Sequence, residues 1–153
     1  MITLSIWVIV PFGGSVTASD HDPAATATRV LYIDDNQDNI FLLRRLFRRS
    51  CPDIALYTAM TGGEGVKAAI DERPALILLD NRLPDATGSE ILGELASWPA
   101  TAAIPVVVLS SDSGEIIDEL LASGAAESVP KPFDIHQFMA ILDRYLPDDP
   151  ESR

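Results

Sequence analysis

The sequence predicts a doubly wound α/β domain with five parallel strands in the order 2-1-3-4-5 and helices on both faces. Three observations carry this. The runs Val30-Leu31-Tyr32-Ile33, Leu76-Ile77-Leu78-Leu79 and Val106-Val107-Val108-Leu109 are continuously apolar, as in strands buried on both sides. Segments of helical periodicity alternate with them, which implies a parallel sheet between two helical layers. Right-handed crossovers and a count of five strands then favour the 2-1-3-4-5 order.

Each element has its own signals. Arg29 to Asp34 reads as the first strand, and Asn36-Gln37-Asp38-Asn39 offers side-chain caps for the helix that follows. That helix carries an apolar stripe of Ile40, Leu43, Leu46 and Phe47, with Arg44, Arg45, Arg48 and Arg49 facing solvent, and stops at Cys51-Pro52. Ile54 to Thr58 is the second strand; Gly63 to Glu72 is the second helix, ended before Pro74. Ala75 to Asp80 is the third strand, followed by a turn through Pro84 and Gly88 and a helix to Ser97, stopped by Trp98-Pro99. The fourth strand runs from Ile104 to Ser110, with Pro105 tolerable near its start. Ser113 to Ser123 makes a helix closed by Gly124. A short strand reaches Pro130, and Asp134 with Gln137 forms a capping box for the last helix, Ile135 to Tyr145.

The chain has 153 residues, enough for one domain with a proper core. Residues 29–146 are expected to form it, with residues 147–153 as a tail and residues 1–28 as a poorly ordered extension. The apolar stretch Met1 to Phe12 is too short to cross a bilayer, and no Lys or Arg follows Met1 to make the basic start of a signal peptide. A formal charge of −12 argues against nucleic-acid binding. The single Cys51 excludes an internal disulfide and suits a reducing, cytoplasmic compartment. No membrane contact is expected.

In an open α/β sheet, ligands sit beyond the carboxyl ends of the strands. Here four strands end in Asp34-Asp35, Asp80, Ser110 and, just after the fifth, Lys131. Three carboxylates, a hydroxyl and an ammonium suit a divalent cation and a transferable phosphoryl group. The spacings leave room for two helices and a strand between Asp34 and Asp80, and for one helix at each later step.

With these residues in hand, the chain resembles the receiver domain of two-component response regulators, which has a flavodoxin-like fold. The motifs are Ile33-Asp34-Asp35-Asn36, Leu79-Asp80 with Leu83-Pro84 and Gly88, Leu109-Ser110-Ser111, and Lys131-Pro132-Phe133. The resemblance implies that Asp80 accepts a phosphoryl group, that Asp35 ligates Mg²⁺ directly and that Asp34 does so through a water. It places the backbone carbonyl of Arg82 in the same metal shell, and gives Ser110 and Lys131 the phosphoryl oxygens. The implied donor is a sensor histidine kinase or a histidine phosphotransfer protein, and the implied output is contact with an unknown downstream protein. No kinase or output-enzyme domain is expected in the chain beyond the receiver. The chain departs from the family at Ser128, where an aromatic residue is usual. Arg82 and Asp112 occupy the positions two past the acceptor and two past Ser110, and their opposite charges are expected to form an exposed pair across the path of the attacking water.

Two other function classes compete. One is a pseudo-receiver that binds partners without phosphate turnover; the intact acid pair, acceptor, hydroxyl and lysine argue against it. The other is a flavodoxin-type electron carrier, whose first loop must cradle a phosphate that Asp34-Asp35 would repel.

Overall fold

The computed structural model describes residues 27–147. The expected extension and tail lie almost wholly outside them. The strands are β1 (Thr28–Ile33), β2 (Ile54–Ala59), β3 (Leu76–Asp80), β4 (Val106–Ser110) and β5 (Glu127–Pro130). The helices are α1 (Gln37–Ser50), α2 (Gly62–Glu72), α3 (Gly88–Ser97), α4 (Glu115–Ala122) and α5 (Ile135–Tyr145). All strand pairings are parallel and the order is β2-β1-β3-β4-β5, as the sequence predicts.

Alternate residues of each buried strand feed opposite layers, because side chains in a strand alternate with period two. Val30 and Tyr32, Leu76 and Leu78, Val107 and Leu109 pack with Ile40, Leu43 and Phe47 of α1 and Phe138, Ile141 and Leu142 of α5. Leu31 and Ile33, Ile77 and Leu79, Val106 and Val108 pack with α2, α3 and Leu120 of α4. The apolar strands are therefore continuous in sequence because both faces are covered. Phe138 anchors the first layer, edge-on to Phe47 at 5.5 Å between ring centroids and stacked with Phe133 at 6.0 Å. The Phe133 contact ties the segment just after Lys131 to α5.

Four local expectations need correction. The α4 helix starts at Glu115 rather than Ser113, with Gly114 (φ 62°) as a cap that makes no side-chain hydrogen bond. The preceding acid, Asp112, is drawn away to other partners. The β4 strand starts at Val106 rather than Ile104, because Thr101 to Ile104 closes a turn in which the Ile104 amide donates to the Thr101 carbonyl. Arg44 is half-buried rather than outward, its guanidinium donating to Thr58 Oγ1 at 2.6 Å across the α1–β2 contact. The α2 helix begins one residue early, at Gly62. There Asp85 accepts from the Gly62 and Gly63 amides at 2.7 and 2.9 Å, clipping the loop after β3 to the start of α2.

Candidate functional site

The carboxyl ends of β1, β3, β4 and β5 converge, as the 2-1-3-4-5 order requires. Asp34, Asp35 and Asp80 each present a carboxylate oxygen within 4.8 Å of the others. Asp34 is fully buried, Asp80 half-buried and Asp35 exposed. The Lys131 ammonium stands 3.3 Å from Asp80 Oδ1 and 3.8 Å from Asp34 Oδ2. It is held there because its own amide donates to the Ser110 carbonyl at 2.9 Å, fastening the end of β5 to the end of β4.

Asp34 is enclosed by donors. Its Oδ1 accepts from the Asn36 amide at 2.8 Å; its Oδ2 accepts from Asn39 Nδ2 at 3.0 Å and from the Tyr32 hydroxyl. Burial, and then the Asp34 carboxylate, push the Tyr32 hydroxyl well above its ordinary pKa, so it stays a donor. By contrast, no hydrogen bond or ion pair engages the Asp35 carboxylate among the described residues. Asp80 titrates above its ordinary value, chiefly because it is buried and secondarily because Asp34 repels it; Lys131 and the Arg82 amide oppose that rise.

Ser110 lies on a different side of this arrangement. It continues the Val106–Val108 face toward α2–α4, while Asp80 continues the Leu76–Leu78 face toward α1 and α5. Its hydroxyl donates to Asp112 Oδ2 at 2.9 Å, and the Asp112 amide donates back to Ser110 Oγ at 3.0 Å. Asp112 also accepts from Asn81 Nδ2 at 2.9 Å and from the Arg82 guanidinium at 2.5 Å. These donors, Arg82 foremost, push the Asp112 carboxyl down to about 2. The Arg82–Asp112 ion pair is thus present as the charges suggest, but it is part of a four-residue network.

Comparison with known proteins agrees with the fold and the acid cluster. The response regulator receiver domain family matches residues 30–143. The chain belongs to that family. The KdpE transcriptional regulatory protein of Mycobacterium tuberculosis is 38% identical over 117 residues, covering 75% of this chain and 49% of the regulator. The chain thus spans about half the length of the curated relatives it matches first. CheY4, a chemotaxis response regulator of Vibrio cholerae, superposes with a TM-score of 0.72 at 24% identity, covering 79% of this chain and all of that one. The receiver domain of the sensor histidine kinase PA1611 of Pseudomonas aeruginosa gives 0.71 at 23% identity, covering 78% and 98%; that structure holds a magnesium ion in its active-site cleft.

Of the residues singled out in the sequence, the receiver fold brings Asp34, Asp35, Asp80 and Lys131 together. It also sets the Arg82 amide on Asp80. It leaves Ser110 committed to Asp112. Sequence reading missed Tyr32, Asn39 and Asn81 as partners of the site. Asn39 follows Asp34 by five residues and is within reach of local side-chain bonding, whereas Asn81 bonds Asp112 across 31 residues, which no local spacing signals. Tyr32 looked like a core aromatic. Its hydroxyl finds Asp34 because residues two apart share a strand face. Among the described residues no helix is long and apolar enough to cross a membrane.

Proposed function

We propose that this receiver domain accepts a phosphoryl group on Asp80, with Mg²⁺ bound, from a sensor histidine kinase or a histidine phosphotransfer protein, and so changes its protein contacts. The observation that carries the reading is the three-carboxylate cluster with one lysine above it, at the carboxyl edge of the sheet.

The donor set fits a hard, oxygen-seeking cation that usually takes one or two carboxylates and keeps several waters. Asp35 and Asp80 would hold it directly, with the Arg82 carbonyl. Asp34, buried and already accepting from three donors, suits a role through water instead. When bound, Mg²⁺ supplies positive charge against the phosphoryl oxygens.

In the transfer, a carboxylate oxygen of Asp80 attacks phosphorus as the bond to the donor's nitrogen or acyl oxygen breaks, and the leaving group carries away that electron pair. Lys131, already 3.3 Å from Asp80, meets an equatorial oxygen and cancels charge that builds there. Ser110 is the second donor for those oxygens. The exposed apolar pair Phe41 and Leu42 on α1, beside Arg45, gives a partner a surface next to the site.

Acetyl phosphate with Mg²⁺, followed by intact mass measurement, tests the reading. A gain of one phosphoryl group, lost in Asp80→Asn, is the expected result. A folded chain that never gains mass would favour the pseudo-receiver.

A further inference from the structure

The hydroxyl of Ser110 has one proton to donate. In this structure that proton goes to Asp112 Oδ2, and the Asp112 amide closes a reciprocal bond onto Ser110 Oγ. The same Asp112 carboxylate also gathers the Asn81 amide and the Arg82 guanidinium. Asp112 is only 7% exposed, whereas Arg82 is 78% exposed, so the acid is pulled inward and met by a cation reaching over from solvent. An isolated exposed pair would do little. Two inner donors, Ser110 and Asn81, make this one a latch on the loop between β4 and α4.

We propose that Asp112 is a positioning residue that withholds the Ser110 hydroxyl in the resting chain, so that phosphoryl uptake exchanges one anionic acceptor for another at Ser110. This rests on the reading of Asp80 as the phospho-acceptor. A phosphoryl group on Asp80 offers oxygens that carry more charge than a carboxylate already shared among three donors. When Ser110 turns to them, Asp112 loses both bonds that tie it to β4 and keeps only Asn81 and Arg82.

The loop has room to respond. A groove of about 310 Å³ lies between Asp112, Gly114, Ile117 and Ser128. Ser128 leaves space where the family usually carries an aromatic ring. Gly114 sits at φ 62° with no atom within 4 Å of where a side chain would project, so it can act as a hinge. The displaced acid, rather than a swinging ring, then carries the change from the site to α4.

Phosphoryl uptake from acetyl phosphate, followed by intact mass on the full chain, measures the exchange. Asp112→Ala should speed uptake about tenfold, the worth of one hydrogen bond to a charged group. Asp112→Asn, which keeps an acceptor without the charge, should stay nearer the wild type. In a Ser110→Ala background Asp112→Ala should change the rate by less than about twofold, because the two residues act as one unit. An effect that persists without Ser110, or equal rates for the Asn and Ala variants, would mean simple charge removal and overturn the latch. Hydrogen exchange over residues 111–114 of the resting protein checks the latch with no phosphoryl group present: Asp112→Ala should loosen that loop severalfold. Unchanged exchange overturns the latch. A loosened loop in a chain that no variant can phosphorylate overturns the phospho-acceptor reading, and the exchange at Ser110 with it.

Discussion

The two halves of the site are built differently. On the α1–α5 side, Asp34 is locked by the Asn36 amide, Asn39 and the Tyr32 hydroxyl, from its own strand, the turn after it and the first turn of α1. On the α4 side, Ser110 is held by a single acid whose charge is met by an exposed arginine from another loop. The first half depends on short-range bonds inside a buried layer, so it is set once the sheet forms. The second depends on side chains from two loops, so it can change partners at little cost to the core. The difference teaches that the acid-cluster half of this receiver is preformed by local bonds, whereas the Ser110 half rests on loop side chains that leave room for a change of partner.

The comparison can be broken most decisively at the proposed acceptor, Asp80. Asp80→Asn keeps shape and removes the nucleophile. Phosphoryl gain from acetyl phosphate should disappear while the circular dichroism spectrum is unchanged; comparable mass gain elsewhere would remove Asp80 from its role.

A second test probes whether the preformed half holds Mg²⁺ as its bonding suggests. Mg²⁺ should raise the melting temperature of the resting chain, because it binds the folded state only. Asp35→Ala should abolish that rise. Asp34→Ala should keep part of it, yet lower the melting temperature without metal, since it strands the buried Tyr32 hydroxyl at a cost of about 1–3 kcal/mol. Equal loss of the Mg²⁺ response in both variants would contradict the division between a free and an enclosed carboxylate.

A third, smaller effect sharpens the contrast. Tyr32→Phe removes one donor from Asp34 while the two others remain. It should destabilise the chain by about 1–2 kcal/mol in urea unfolding and leave the rate of phosphoryl uptake close to wild type. A large loss of uptake would show that the preformed half is tuned more finely than its redundancy implies.

The smallest effect is in pH. The Asp112 carboxyl is held at about 2 against an ordinary 3.8, so its anion stabilises the folded chain above 3.8 and that contribution fades as pH falls toward 2. The melting-temperature advantage of wild type over Asp112→Asn should therefore shrink across that window. An advantage that stays constant to pH 2 would mean the latch carries no net charge interaction.

Much of this was legible in the residues. The continuous apolar runs fixed β1, β3 and β4, and the stripe at Ile40, Leu43 and Phe47 fixed the inward face of α1. The capping box of Asp134 and Gln137 placed the start of α5 to the residue. The stop at Trp98-Pro99 holds, with the Trp98 carbonyl accepting from the Thr101 and Ala102 amides as the chain turns, while Trp98 itself is 48% exposed. The polar strand ends pointed to the acid cluster and lysine. The commitment of Ser110 was not legible, because it depends on which face the last residue of β4 presents and on a loop reaching across from β3.

By itself, the sequence determined the strand count, the parallel sheet between two helical layers and the identity of the acids at its carboxyl edge. Local patterning is enough for these, since period two, period 3.6 and capping are short-range properties. The tertiary structure alone decided how the polar groups pair: Tyr32 on Asp34, Asp85 on the start of α2, Asp112 on Ser110, Asn81 and Arg82. Except for Tyr32 with Asp34 and Ser110 with Asp112, each two residues apart, those partners come from different loops. Their meeting follows from strand order, register and the turn of each loop in space, and no local pattern encodes the sum of these.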